Sequence, residues 1–420
     1  MRRNRRTLIK SVSLGALFNS ASSLGGGALS IGALSIGALS IGALSAAAKP
    51  AFAAASPGIS KNEIVIGSIQ DLSGPLVAFS KPTRDGMLLR VEQANTQGGI
   101  HNRKIKLQVE DSGYDTKRAV LAAEKLVASD KVFAVVGTLG AAPALATIQR
   151  IIDAGALHLF PLTAHQGMFE PFHRLKFAAF TPYVDSTRAG LMEMLKRGYK
   201  RVAIVYQDDD FGLDILNGTE AALKTSGMSL IEKASYKRGA TDFSSQMQRL
   251  KAANPDLIVL ATVIRETIGA MGEARKLGYG GDFFGSQGSY VPATAKIGGK
   301  AVDGLYNVCE IPAPYRDDQR NSKLLNDWMD TYKTRFNAEA DLGAVFGWFL
   351  IDMFVKTAEK AGANLSTDSF VKALESSTFP RSFLGTPEIS FGPQKRLGNN
   401  QARIAQIQNG RWVNVTDFVK

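Results

Sequence analysis

A chain of 420 residues, 45% hydrophobic and 21% charged, is long enough for two or three domains that each bury a core, and too apolar for wholesale disorder. Its single cysteine, Cys309, excludes an internal disulfide and any cysteine-rich zinc or iron–sulfur centre, and four scattered histidines offer little for a histidine-based metal site. The net charge of +12 does not argue for nucleic acid, because residues 1–53 hold six basic side chains and no acid, leaving +6 on the remainder.

Near the N-terminus, Asn4-Arg5-Arg6-Thr7-Leu8-Ile9-Lys10 sets two adjacent arginines ahead of an apolar pair, a pattern similar to the twin-arginine export signal of bacteria. A five-residue repeat, Gly-Ala-Leu-Ser-Ile, runs from Gly27 to Ser45. Five residues are too few for a packing unit, so the repeat reads as an expanded apolar region of the signal. Ala51-Phe52-Ala53 forms an A-x-A cleavage site, which predicts a mature chain beginning at Ala54 and working outside the cytoplasm. The serines and glycines of the repeat make a poor bilayer span, and no later stretch reaches the ~20 apolar residues that a span needs. No cysteine follows the repeat closely enough for a lipid anchor.

Beyond residue 60, strands and helices alternate. Glu63–Ser68 reads as a buried strand, Arg84–Asn95 as a helix ending near Gly98-Gly99, and Lys104–Glu110 as a second strand. Thr116–Ser129 has helical spacing, with Ala119, Val120, Ala123 and Leu126 on one face. The apolar run Val132–Val136 stops at Gly137 and is followed by a helix from about Pro143 to Ala154. The alternation continues through Arg201–Tyr206, Asn217–Ser226, Phe243–Ala253 and Leu257–Leu260. Such apolar strands with helices between them predict parallel sheets covered on both faces.

One sheet would need too many strands, so two α/β lobes are expected. The first takes residues 60–181 plus about 311–390, and the second 182–310 plus about 391–420. Phe180-Thr181-Pro182-Tyr183 is the predicted first crossover, and a long helix from Leu342 to Ala361 the predicted return to the first lobe. Ala402–Val415 alternates around Asn409-Gly410, a hairpin pattern. Two such lobes place a cleft at the carboxyl ends of their strands, where open α/β sheets bind ligands.

Enzyme signatures are sparse. There is no G-x-S-x-G elbow, no H-E-x-x-H and no P-loop; catalysis and a cofactor are therefore not expected. His158, His165 and His173 read as surface or hydrogen-bonded side chains, and Cys309 as a buried, inert thiol. Val135 to Pro143 passes from strand through a glycine-rich loop into a helix, where Gly140, Ala141 and Ala142 leave backbone N–H groups free and Pro143 suits the first turn. Such a helix start attracts a carboxylate. A plain tight turn and a dinucleotide loop are the competing readings, the latter lacking its G-x-G-x-x-G. Phe160 to Ala164 ends the next strand and brings the Thr163 hydroxyl beside the same helix start. Asp208-Asp209-Asp210 lacks the spacing of a calcium loop and reads as loop and helix cap, with Phe211 facing the cleft.

Several of these stretches carry a resemblance. Asp71-Leu72-Ser73-Gly74-Pro75, Asn95 to Ile100, Val109 to Asp115, Ala122 to Leu126, Val136-Gly137 and Asp209-Asp210-Phe211-Gly212 run in order through both lobes. Together they resemble the branched-chain-amino-acid-type substrate-binding proteins of bacterial ABC importers. The resemblance implies a type I periplasmic binding fold: two Rossmann-like lobes, a three-segment hinge and a ligand cleft between the lobes. It also implies a monomer exported to the periplasm, without nucleic-acid partners, that delivers a small molecule to a membrane permease driven by an ATPase.

Carried over position by position, the implied ligand site comprises Thr138, Leu139, Gly140 and Ala141 at the helix start, and Leu162, Thr163 and Ala164 on the second loop. Phe79, Phe211, Val263 and Gln287 complete it. The serine that holds the ligand carboxylate in amino-acid-binding members falls on Ala141, so Thr138 and backbone N–H groups would serve instead. The acid that pairs with a ligand ammonium falls on neutral Gln287; Glu266 would replace it only if its helix faces the cleft. Some members carry a disulfide between the loops aligned with Tyr114 and Gly140, and here both cysteines are missing. An unpaired ammonium in a closed cleft is costly, so an aromatic or aliphatic acid is expected beside, or in place of, an amino acid. Phe79, Tyr183, Phe211 and Tyr290 would suit such a ligand. A sensor that binds an acid or amide and reports to a regulator chain is the alternative function.

Overall fold

The computed structural model describes residues 56–419; the arginine pair, the pentapeptide repeat and the Ala51-Phe52-Ala53 site lie outside them. The first series of elements is β1 (Glu63–Gln70), α1 (Val77–Thr96), β2 (Lys104–Asp111), α2 (Thr116–Glu124), β3 (Ala134–Val136), α3 (Ala141–Asp153), β4 (Leu157–Leu159) and β5 (Lys176–Phe177). The second begins with α4 (Tyr183–Leu195), β6 (Val202–Gln207), α5 (Asp210–Thr225), β7 (Glu232–Tyr236) and α6 (Ser244–Ala252). It continues through β8 (Leu257–Ala261), α7 (Ile264–Lys276), β9 (Asp282–Gly285), α8 (Pro292–Gly298) and β10 (Tyr306–Cys309). Three helices follow, α9 (Lys323–Phe336), α10 (Leu342–Ala361) and α11 (Thr367–Glu375). The short pair β11 (Thr378–Phe379) and β12 (Ile389–Ser390) precedes a final hairpin, β13 (Arg403–Gln408) and β14 (Arg411–Asn414).

Two sheets organise these elements into α/β lobes. The first has the order β2-β1-β3-β4-β5 and is parallel throughout. The second has the order β14-β13-β10-β9-β8-β6-β7, parallel from β7 to β10, with β13 and β14 added antiparallel at one edge. Burial explains the parallel pairing: every residue of β8 is buried, as expected of a strand covered by helices on both faces. In the first lobe, Ala119, Ala123 and Leu126 from α2 and the turn after it pack with Val132 and Ile151 on one face of the sheet.

The chain passes between the lobes three times. It leaves the first lobe after β5 through Phe180-Thr181-Pro182, and leaves the second after β10 through Glu310. Helix α10 then lies against α1 of the first lobe, backbone on backbone: a Cβ on Gly86 would meet the Ala344 carbonyl at 2.1 Å, and one on Gly347 the Thr83 carbonyl at 1.9 Å. The Arg90–Asp352 ion pair, 2.9 Å and largely buried, joins the same two helices. The third passage runs through Asn399 into β13, after Ala178 has exchanged backbone hydrogen bonds with Arg396 and Gly398.

Helix α1 starts at Val77, ahead of the Arg84 start expected from periodicity. Asp71 is the reason: its carboxylate accepts from Gly74 N and from Leu76 N at 2.7 Å, folding the chain into the helix before Pro82, which lies inside it. Asp111 organises the adjacent loop in the same way, accepting from Leu72 N, Gly113 N and the Ser73 hydroxyl. The Asp71 and Asp111 stretches are thus wiring between strand ends. They aim Leu76, Phe79 and Tyr114 at the gap between the lobes.

Candidate functional site

A cavity of about 100 Å³ lies between the lobes, walled by both of them. From the first lobe come the loops after β3 and β4, laced together by Leu162 N donating to Thr138 O (2.8 Å) and Gly140 N donating to Leu162 O (3.2 Å), so the Gly140 N–H, expected to be free, is taken up in pairing the two loops. Gly140 has φ 90°, and a Cβ there would meet the Tyr114 ring at 2.4 Å, so only glycine fits this turn. Leu139, Gly140 and Ala141 open α3 onto the cavity, and Leu162, Thr163 and Ala164 stand beside them. The Thr163 hydroxyl is buried beside the Tyr183 hydroxyl, yet makes no hydrogen bond of good geometry. An unpartnered hydroxyl next to a helix start is a donor waiting for an acceptor.

Aromatic rings form most of the remaining wall. Tyr183 and Phe211 meet edge to face at 5.1 Å, and Phe346 takes Phe79 and Phe180 at 5.7 and 5.0 Å. Gly288 leaves room for the Phe211 ring, which a Cβ would strike at 2.6 Å. Tyr290 is fixed from behind by the Ala313 N–H and packs on Trp412. Val263, at the start of α7, closes the second-lobe side.

The polar part of the wall lies at the crossovers. Gln287 donates to the Ser186 hydroxyl (2.8 Å) and to Thr181 O (3.3 Å). Glu310, from the second crossover, accepts from Thr181 N in the first (3.2 Å) and from the Asn399 side-chain amide in the third (3.0 Å). Burial pushes its carboxyl up to about 7, with those hydrogen bonds restraining the rise. Glu310 was invisible to pattern reading because a lone acid after an apolar strand has no motif.

Of the residues named from sequence, Phe79, Leu139, Gly140, Ala141, Leu162, Thr163, Ala164, Phe211, Val263 and Gln287 come together on this one wall. Thr138 does not. Its hydroxyl is buried and unpartnered, and Leu139 is the first residue of this loop to reach the cavity wall. Glu266 is also absent from the wall: it is buried in the first turn of α7 with neither carboxylate oxygen paired, and burial raises its pKa. His158, expected to be exposed or hydrogen-bonded, is instead buried without a partner, and burial beside Lys176 pushes it down to about 3. Cys309 lines the cavity as a buried thiol pushed up to about 12.

Two contacts close the rim. Arg238 of the second lobe donates to Tyr114 O (2.9 Å) and stacks on the Tyr114 ring at 4.6 Å, while Asp209 holds the guanidinium and caps α5. On the other side His165 faces Asp214 at 3.8 Å. Among the described residues no cluster of three or more metal-ligating side chains occurs, and no helix is long and apolar enough to cross a membrane.

A family model described as "Periplasmic binding protein" matches residues 63–411, which takes in both lobes and every wall of the cavity. The chain belongs to the periplasmic binding protein family. Within it the chain is similar to leucine/isoleucine/valine-binding protein homologues. This binding protein is 25% identical over 269 residues to Leu/Ile/Val-binding protein homolog 7 of Brucella suis, a match spanning 61% of this chain and 66% of the relative. In fold it is similar to the fatty acid ABC transporter substrate-binding protein from Thermomonospora curvata, with a TM-score of 0.78, 22% identity, and coverage of 87% of this chain and 94% of that one. It is also similar to a solute-binding protein from R. palustris in complex with benzoate, with a TM-score of 0.74, 16% identity, and coverage of 85% and 96%. The type I periplasmic binding architecture of this binding protein, two parallel-sheet lobes joined by three crossovers, is common to them.

Proposed function

We propose that the chain is the periplasmic solute-binding component of an ABC importer, exported and cleaved near Ala53, that captures a small apolar carboxylate between its lobes and delivers it to a membrane permease. The observation that carries the ligand class is the pairing of the unpartnered Thr163 hydroxyl and the α3 start with a cavity otherwise walled by rings and aliphatic side chains. One end offers donors to a carboxylate and the rest offers apolar area, worth about 25 cal/mol for each Å² the ligand buries. The volume is of the order that admits one ring or a short chain; an apolar cavity of about 150 Å³ takes benzene. The fatty-acid and benzoate binders of the same fold support an aliphatic or aromatic acid. The ligand's carboxylate is proposed to lie against Gly140, Ala141 and Thr163, with Phe79, Tyr183 and Phe211 around its apolar part. Bridging both lobes, the ligand shifts the population toward the closed form.

A thermal-shift screen of residues 54–420 against benzoate, octanoate, leucine and small amides tests this. A ligand that binds only the folded state adds ~2.7 kcal/mol at a hundredfold excess over Kd, a clear rise in Tm. A shift by acids and none by amides supports the reading; a shift by amides alone overturns it.

A further inference from the structure

Glu310 is the single Asp, Glu, Lys, Arg or His among the residues that wall the cavity. It is also where the three crossovers meet. Its carboxylate binds Thr181 N and the Asn399 amide, while the Thr181 hydroxyl receives that same amide (2.9 Å) and donates to Gln401 O (2.8 Å). One buried carboxyl therefore knots all three segments between the lobes, at the point about which any opening must turn.

No cation faces it. Thr181 and Tyr183 approach from the first crossover and α4, Gln287 from the loop after β9, Cys309 from β10, and Asn399 from the third crossover. Burial holds Tyr183 and Cys309 neutral, each pushed up to about 12. Arg403, opposite Cys309 in the β10–β13 register, places its guanidinium over the Phe418 ring at 3.9 Å, and no ion pair joins it to Glu310.

A carboxylate ligand entering this cavity adds a second negative charge to an enclosed space that holds no positive one. Two carboxylates in such a space do not both ionise; one of them keeps a proton. The ligand end carries donors, the Thr163 hydroxyl and the α3 N–H groups, which favour the charged form of the ligand. The crossover end is the better place for the proton, since burial already disfavours the Glu310 anion. We propose that the cleft closes on a carboxylate ligand only with Glu310 in its neutral acid form, so that each ligand anion is taken up together with one proton from solvent. This rests on the carboxylate reading of the cavity given above. The acid form keeps a carbonyl oxygen to accept from the hinge donors and adds an O–H donor on the cavity wall.

The test is isothermal titration of the wild-type protein with benzoate, octanoate and leucine, in paired buffers of different ionisation heat. Uptake should approach one proton per ligand at about pH 8 and fall toward zero at about pH 6, with affinity weakening about tenfold per pH unit above 7. In Glu310→Gln the uptake and the pH dependence should both vanish. The infrared difference spectrum of the wild type at about pH 8, which needs no variant, should gain a protonated-carboxyl band on adding benzoate. Binding of any of the three without proton uptake at about pH 8 overturns the proposal while leaving the carboxylate reading intact. Leucine doing so would make Glu310 the ionised partner of an ammonium. If no acid binds at all, the carboxylate reading fails and the proposal falls with it.

Discussion

The two polar ends of the cavity are built to opposite plans. At the first-lobe end, Thr163 presents a buried hydroxyl with no well-formed hydrogen bond, beside a helix start whose orphan N–H groups follow from geometry. At the crossover end, Glu310 has donors on both oxygens and Gln287 is bonded to Ser186 and Thr181. An unsatisfied group loses stability until something binds, whereas a satisfied one holds the protein together whether or not a ligand is present. The first end should therefore be read out in affinity, and the second in stability and its response to pH.

The largest expected effect is at Gly140. Gly140→Val puts a β-branched side chain at φ 90° and against the Tyr114 ring, and should cost about 3 kcal/mol or more in urea unfolding. Next is the pH dependence of the ligand-free protein. Glu310 binds its proton in the folded state up to about 7, against 4.5 for an unperturbed group. Between those values the folded state holds more protons than the unfolded, so stability is present at low pH and lost as pH rises through 7. Relative to Glu310→Gln, the wild type should lose on the order of 3 kcal/mol over that window, seen as a falling Tm. Parallel profiles for the two proteins would erase the distinction between the ends.

Smaller effects sharpen the comparison. Thr163→Ala should weaken binding of whichever acid stabilises the wild type about tenfold, and leave the Tm of the free protein nearly unchanged, since the hydroxyl makes no well-formed hydrogen bond there. An equal loss of apo stability would show Thr163 to be structural. The smallest effect lies at the rim, where Arg238→Ala removes the stacking on Tyr114 and the bond to its carbonyl. That change should cost about 1 kcal/mol of closed-state preference, measurable as faster ligand release with little change in association.

Much of the architecture was legible in the residues. The apolar run of β8, the Asn409-Gly410 hairpin and the Leu342–Ala361 helix all stand where periodicity and turn chemistry put them, because each is decided within a short window. The start of α1 was not, because a hydrogen-bonded Asp71 begins it ahead of a proline that reads as a stop. In the site, Thr163 and Gly140 were visible as a strand end beside a helix start. Thr138 lies just off the wall, which begins at Leu139, because the course of the loop after Gly137, at φ 70°, is set by packing in space and not by residue type.

The sequence by itself determined two α/β lobes, the loop–helix start that faces the cleft and the absence of a charged partner at Gln287, all properties of local pattern and residue type. Only the tertiary structure decided that Glu310 stands on the cavity wall and joins Thr181 and Asn399, residues from three crossovers far apart in the chain. Its raised pKa has the same origin, for desolvation is set by what surrounds a group in space and leaves no trace in the order of residues around it.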